Sequence, residues 1–257
     1  MYKQQSVFQC LLVGFFVIVL SCYAPVQTGF GQETLEEYID STIDEQLTND
    51  LSSEDQIVET TQAETTVEVD PTHIEYFKQI VPYTKFLNYQ YVGMDSNFKL
   101  KDVIMEYMPD ADGIFQVAEI TDNQAVAFVY QIRPDGLYQL AVFDDYSQVE
   151  DLRYSEDASD EFISMILPVN LEIGSNFTSG YQQEIKKEIT GVVDYVTIGE
   201  DIYREVLIIE EADDNQADTL RTYFAKEAGL VLVERVRPNG ETTTVYFLNS
   251  KQGSLLN

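Results

Sequence analysis

Hydrophobic and polar positions divide the chain into three textures. The first is an apolar stretch from Val7 to Ser21, interrupted by Gln9 and preceded by a polar segment, Met1–Ser6, that carries Lys3. The second, from Tyr23 to Thr72, is poor in apolar residues and rich in Thr, Ser, Gln and acids. The third begins after Pro71, where short apolar-aromatic runs alternate with turn residues. Short runs separated by turn signals at about 8–12-residue spacing are the pattern of an all-β sandwich or barrel. Strands are expected at 86–92, 98–107, 114–120, 126–132, 137–143, 148–154, 181–189, 193–198, 203–209, 221–225, 230–236 and 243–247. Two short helices are expected: 73–80, stopped by Pro82, and 159–167, ended by Pro168. The fold class is therefore all-β with one or two short helices, an antiparallel sandwich or barrel.

Two hairpins stand out locally. Arg133-Pro134-Asp135-Gly136 and Arg237-Pro238-Asn239-Gly240 share one turn sequence. Proline presets the first corner, Asp or Asn tolerates the second, and Gly136 or Gly240 takes the left-handed position of a type I turn with a glycine bulge. The repeat, 104 positions apart, raises the question of whether two halves are built alike, but no other stretch aligns across them. Gly229 is expected to supply an unusual backbone angle where the chain re-enters the sheet. Beyond it, Leu230, Leu232 and Val236 share one strand parity that would face the core. Val231 and Val233 on the other parity mark a central strand or one beside a cavity.

Charge sharpens the division. The net charge is −30. Residues 23–72 carry thirteen Asp or Glu and no Lys or Arg, and the remainder is still strongly acidic. The only adjacent basic pair is Lys186-Lys187, so the clustered cations that phosphate binding needs are missing and nucleic acid is not an expected partner. Low hydrophobicity with unopposed like charge predicts a disordered tether over 22–72. Within it, Leu35, Tyr38, Ile39, Ile43, Leu47 and Leu51 recur at helical spacing, a pattern that an isolated acidic segment would hold only marginally.

The apolar stretch spans about fifteen residues, shorter than the roughly 20 a membrane-crossing helix needs and matched to a secretory signal core. Its end, Val19-Leu20-Ser21-Cys22, resembles the lipobox of bacterial lipoprotein signal peptides. The resemblance implies cleavage between Ser21 and Cys22 and attachment of diacylglycerol and palmitate chains to Cys22. Two acyl chains hold a protein on a bilayer stably, where one holds marginally. Residues 1–21 then form the signal peptide, 22–72 the linker, 73–250 a single β-rich domain and 251–257 a tail. An uncleaved apolar anchor and simple secretion are the competing outcomes.

From about Tyr76 to Ser250 the chain resembles uncharacterised surface lipoproteins of low-GC Gram-positive bacteria. Three stretches carry this: Ile166-Leu167-Pro168 through Gly174 to Phe177; Thr197-Ile198-Gly199 leading into Tyr203–Ile209; and Tyr223-Phe224-Ala225 through Gly229-Leu230-Val231. Phe177 stands where Trp is usual and Ile198 where a small residue or Pro is common. The resemblance implies a strongly curved antiparallel sheet of the lipoprotein-carrier (LolA-like) half-barrel type on the outer face of a cell membrane, with no catalytic residues.

Residues with catalytic potential are scarce. The cysteines are Cys10 and Cys22, and His73 is the one histidine. Zinc sites of the usual N/S ligand sets and thiol nucleophiles are therefore excluded from the domain, and no Gly-x-Ser-x-Gly elbow accompanies His73. The acidic clusters Asp110-Ala111-Asp112-Gly113 and Asp213-Asp214-Asn215-Gln216-Ala217-Asp218 do not match the EF-hand loop and read as solvated turns. No metal, cofactor or enzymatic activity is expected. Two classes of function remain: a binding domain for a hydrophobic or lipid-like ligand, and an interaction or envelope-assembly module with a filled core.

Overall fold

Twelve segments of the domain are extended, most of them rich in β-branched and aromatic residues. The computed structural model describes residues 70–255 apart from 145, 159–162 and 212–217. One helix, α1 (Pro71–Ile80), precedes the strands β1 (Phe86–Gly93), β2 (Leu100–Tyr107), β3 (Ile114–Thr121), β4 (Ala125–Arg133), β5 (Gly136–Phe143) and β6 (Ser164–Pro168). They are followed by β7 (Asn176–Ser179), β8 (Ile185–Ile198), β9 (Asp201–Glu211), β10 (Thr219–Ala225), β11 (Gly229–Val236) and β12 (Thr242–Ser254).

All twelve strands join one antiparallel sheet in the order β6-β5-β4-β3-β2-β1-β12-β11-β10-β9-β8-β7. The first and last strands pair with each other, Phe86 opposite Ser254, so the sheet is continuous from β1 to β12. Its two free edges, β6 and β7, are consecutive in sequence. Seven of the eleven strand pairings contain a register shift. Each shift inserts a residue that bends and twists its strand, and together they curl the sheet into a nearly closed barrel.

Side-chain bonds bridge the gap between β6 and β7. Ser164 and Ser179 share a hydroxyl contact of 3.2 Å, both buried, and the Gly180 N–H donates to Ser164 Oγ at 2.8 Å. Gln139 on β5 donates to the Tyr181 hydroxyl at 2.6 Å, clamping the seam from the side.

Helix α1 closes one end of the barrel. Pro71 occupies its first turn and Asp70 caps it, accepting from the Thr72 N–H at 2.9 Å, a contact worth about 1 kcal/mol. Phe77 and Ile80 are fully buried in the main core, each contributing about 1.5–3 kcal/mol. Val81 ends the helix, and Pro82 prevents its continuation. The turn between β10 and β11 receives the helix end, its Glu227 N–H donating to the Gln79 carbonyl at 3.0 Å.

Several expectations are corrected. The segment 148–154 is irregular rather than a strand. Leu152 instead packs on a second apolar cluster formed by Ile114, Val129, Tyr138, Leu140 and Ala141. Of the expected helix over 159–167, residues 159–162 lie outside the described residues and the rest forms β6 from Ser164; β7 was not anticipated. The expected strands 181–189 and 193–198 merge into one strand, β8, which begins only at Ile185 and in which Thr190 is the extra residue of a bulge. Pairing runs past residue 250 to Ser254, so most of the expected tail is strand.

The two similar turns differ. At Pro238-Asn239-Gly240, Gly240 has φ +83° and the Arg237 N–H bonds to the Glu241 carbonyl, the expected type I turn with a glycine bulge. At Pro134-Asp135, Arg133 pairs directly with Gly136, whose φ is not positive. Gly136 is required there for another reason: a methyl group on it would stand 2.6 Å from the Leu167 carbonyl oxygen. The first turn joins the fourth and fifth strands and the second the eleventh and twelfth, so they do not occupy equivalent places in two halves.

Candidate functional site

The inward faces of the strands converge on a cavity of about 290 Å³ inside the barrel. Its wall is apolar over most of its area, with Phe128, Ile166, Ile209, Phe224, Leu230 and Val233 facing it. Register explains why both Leu230 and Val233 reach it. Phe224 pairs with Leu230 and Tyr223 with Leu232, so Val231 is an extra residue that changes the parity of β11. Val233, rather than the expected Leu232, therefore lines the interior.

The closed end is formed by Pro82 and Tyr83, the residues that follow α1. Tyr83 has φ +68°, an unfavourable region for an aromatic residue. Its ring is held edge-on to Tyr89 at 5.7 Å and lies 6.1 Å from Tyr130. Tyr130 stacks in turn with Phe115 and Phe128. Gly229 fixes the position of this plug, because its φ of +72° and missing side chain allow β11 to pass directly over Pro82. Burial pushes the Tyr83 and Tyr130 phenols well above their ordinary range. They stay protonated.

Charged groups lie toward the other end. Lys101 is buried among aromatic rings, 4.7 Å from the Tyr246 centroid and 5.3 Å from that of Phe98, and pairs with Glu119 at 3.0 Å. Burial lowers its pKa, but Tyr246 and Glu119 outweigh that, and the net shift is upward. Glu119, on the cavity wall, is thus neutralised by a fixed cation. Glu211 accepts from the Leu220 N–H at 3.2 Å. Lys187, opposite Glu211 in the β8–β9 pairing, also lines the cavity. Burial lowers its pKa, Glu211 opposing that only in part.

The residues singled out in the sequence lie elsewhere. Ser21 and Cys22 are outside the described residues, as are all members of the cluster 213–218 except Asp218. Pro134, Asp135, Gly136, Pro238, Asn239 and Gly240 sit in hairpin turns away from the cavity. Asp110 accepts from the Asp112 and Ile114 N–H groups and pairs with Arg153 at 3.1 Å, while Tyr154 bonds to both acids. Among the described residues, no three His, Cys, Asp or Glu side chains gather as a metal site. His73 contacts Asn170 at 3.2 Å on the outside of the barrel. A shallower groove of about 560 Å³ runs there between α1 and β8, lined by Tyr76, Ile173, Val192 and Lys226 among others.

Reasoning from sequence missed Lys187. A signal was present: Ile185, Lys187 and Ile189 share one parity of β8, and the isoleucines mark it as the inward one. Lys186, on the other parity, is exposed. No helix among the described residues is long and apolar enough to cross a membrane. Comparison with known proteins returned no matching family model, no matching curated protein and no matching solved structure.

Proposed function

We propose that this protein is a membrane-anchored lipoprotein of a Gram-positive envelope whose barrel binds a small hydrophobic or lipid-like ligand without chemical turnover. The single observation that carries the reading is the cavity: its walls are mostly apolar, it lies within the curve of the sheet, and its volume of about 290 Å³ sits just under the range typical of ligand pockets, which begins at about 300 Å³. A domain working only through its surface needs no such space, since interiors otherwise pack as densely as organic crystals. The acyl chains on Cys22 hold the protein at the bilayer, and the acidic linker keeps the barrel clear of it. Acidic surfaces repel one another and an anionic bilayer, which suits a domain held at a distance from lipid.

A surface role as an interaction or envelope-assembly module has its own support in the outer groove. There Ile173 and Val192 are 61% and 44% exposed, with Ile202 at 58% on the adjacent strand.

Native mass spectrometry of the full protein purified from its host, followed by solvent extraction, tests the proposal. The expected mass is that of a chain beginning at a diacylated Cys22 with one small hydrophobic molecule retained. A chain beginning at Met1 with a free thiol contradicts the anchor, and an empty barrel contradicts the binding role.

A further inference from the structure

Among the charged residues on the cavity wall, Lys187 differs from the two acids. Glu119 is paired with Lys101 and Glu211 holds a backbone N–H, whereas Lys187 makes no hydrogen bond or close ion pair among the described residues. An ammonium partly withdrawn from water without such partners loses part of its hydration, and an anion supplied from outside would offset that loss. The sheet register places it near the rim. Lys187 and Glu211 form one row with Leu220, and Ile209 and Thr222 form the next row toward α1. Beyond them come Phe224 and Leu230, then Tyr83 at the closed end.

From this arrangement we propose that the cavity selects a single-chain carboxylic acid, its carboxylate on Lys187 and its chain running inward over Ile209, Phe224 and Leu230. The inference rests on the binding role proposed above and narrows it in three respects. The first is size. At about 30 Å³ for each water-sized group, the cavity holds about ten such groups, enough for one medium-length chain and too few for a two-chain lipid. The second is charge. Among the described residues, Lys187 is the one cation on the cavity wall and already faces Glu211 across the β8–β9 pair, so a single negative charge is the most the rim can take and a dianionic phosphate is repelled more strongly. The third is direction. The polar group stays at the rim where water reaches it, and the apolar residues below it take the chain.

Equilibrium dialysis of labelled decanoate, decanol and a dipalmitoyl phospholipid against the full chain tests this, in the natural sequence and in Lys187→Met and Lys187→Arg. The natural protein is expected to bind decanoate at least about tenfold more tightly than decanol, as a charge-assisted hydrogen bond supplies. It is not expected to take up the phospholipid in the barrel. K187M should lose that preference while still binding decanol, and K187R should keep it. Equal binding of decanoate and decanol by the natural protein, or a preference that survives K187M, overturns the carboxylate assignment but leaves the hydrophobic binding role intact. Failure of both single-chain probes overturns the binding role itself, and stoichiometric phospholipid uptake overturns the size limit. Lys187 is partly exposed at the rim, so near-ultraviolet dichroism of K187M should match the natural protein. If it does not, the K187R comparison decides.

Discussion

Gly229 and Gly240 both adopt positive φ, +72° and +83°, yet they do so in different surroundings. A methyl group at Gly240 meets open space, whereas one at Gly229 would stand 2.6 Å from the Pro82 Cα, a backbone atom that cannot swing aside. Placing an L-residue in the left-handed region costs about 1–2 kcal/mol. Gly240→Ala should therefore lose about that much stability in urea titration. Gly229→Ala should lose about 3 kcal/mol or more, because the Pro82-Tyr83 plug has to move as well. Equal losses in the two variants would show that the plug does not depend on this approach. Tyr91 plays a related part nearby. Its hydroxyl donates to the Leu230 carbonyl at 2.9 Å, beside the bulge at Val231 that interrupts the ladder.

Elements with strong periodicity were legible in the sequence. Strands β3, β4, β5 and β11 begin or end within about a residue of expectation, since β-branched and aromatic runs bounded by Gly, Pro, Asn or Asp leave little choice. The edge strands were not. β6 lies in an apolar run, Ile163–Leu167, that shows no alternation and ends at Pro168, which suits a helix end equally well. β7 is four residues long and mostly polar. Thr190-Gly191 reads as a break between strands and proves to be a bulge within one, a distinction that depends on the partner strand. The cavity was less legible still, because no single segment contains it. Its lining is drawn from most strands of the sheet, and bulges change which parity faces inward.

The seam between those two edge strands depends on few bonds. Removing the Ser164 hydroxyl deletes its contacts to Ser179 and to the Gly180 N–H and leaves a buried donor unpaired, at a cost of about 1–3 kcal/mol. Ser164→Ala should therefore speed amide hydrogen exchange in β6 and β7 relative to β1 and β12, which remain paired on both sides. Exchange that rises uniformly over the sheet, or nowhere, would mean that the seam does not behave as a separate opening unit.

At the scale of the described domain, the barrel is closed where its first and last strands pair and parted between β6 and β7. The β1–β12 pairing ties the start of the domain to its finish, and the free edges are left to β6 and β7. Short edge strands bound through side chains limit the exposed ladder that would otherwise invite pairing with another chain. The helix and the Pro82-Tyr83 plug seal one end, and the row of Lys187 and Glu211 marks the other. The result is a cup whose wall is parted only at the β6–β7 seam, whose base is aromatic and whose rim carries charge.

The central claim is that this cup holds a ligand. Thr222 faces the cavity midway along its depth and is half-buried, so Thr222→Trp would fill the space with little disturbance to the outer surface. Titration of an uncharged dye that fluoresces in apolar surroundings should show one saturable site per chain in the natural protein. In Thr222→Trp the affinity should fall by about tenfold or more, equivalent to about 1.4 kcal/mol, with the thermal midpoint little changed. Dye binding of equal strength in both proteins would place the site outside the barrel and contradict the account.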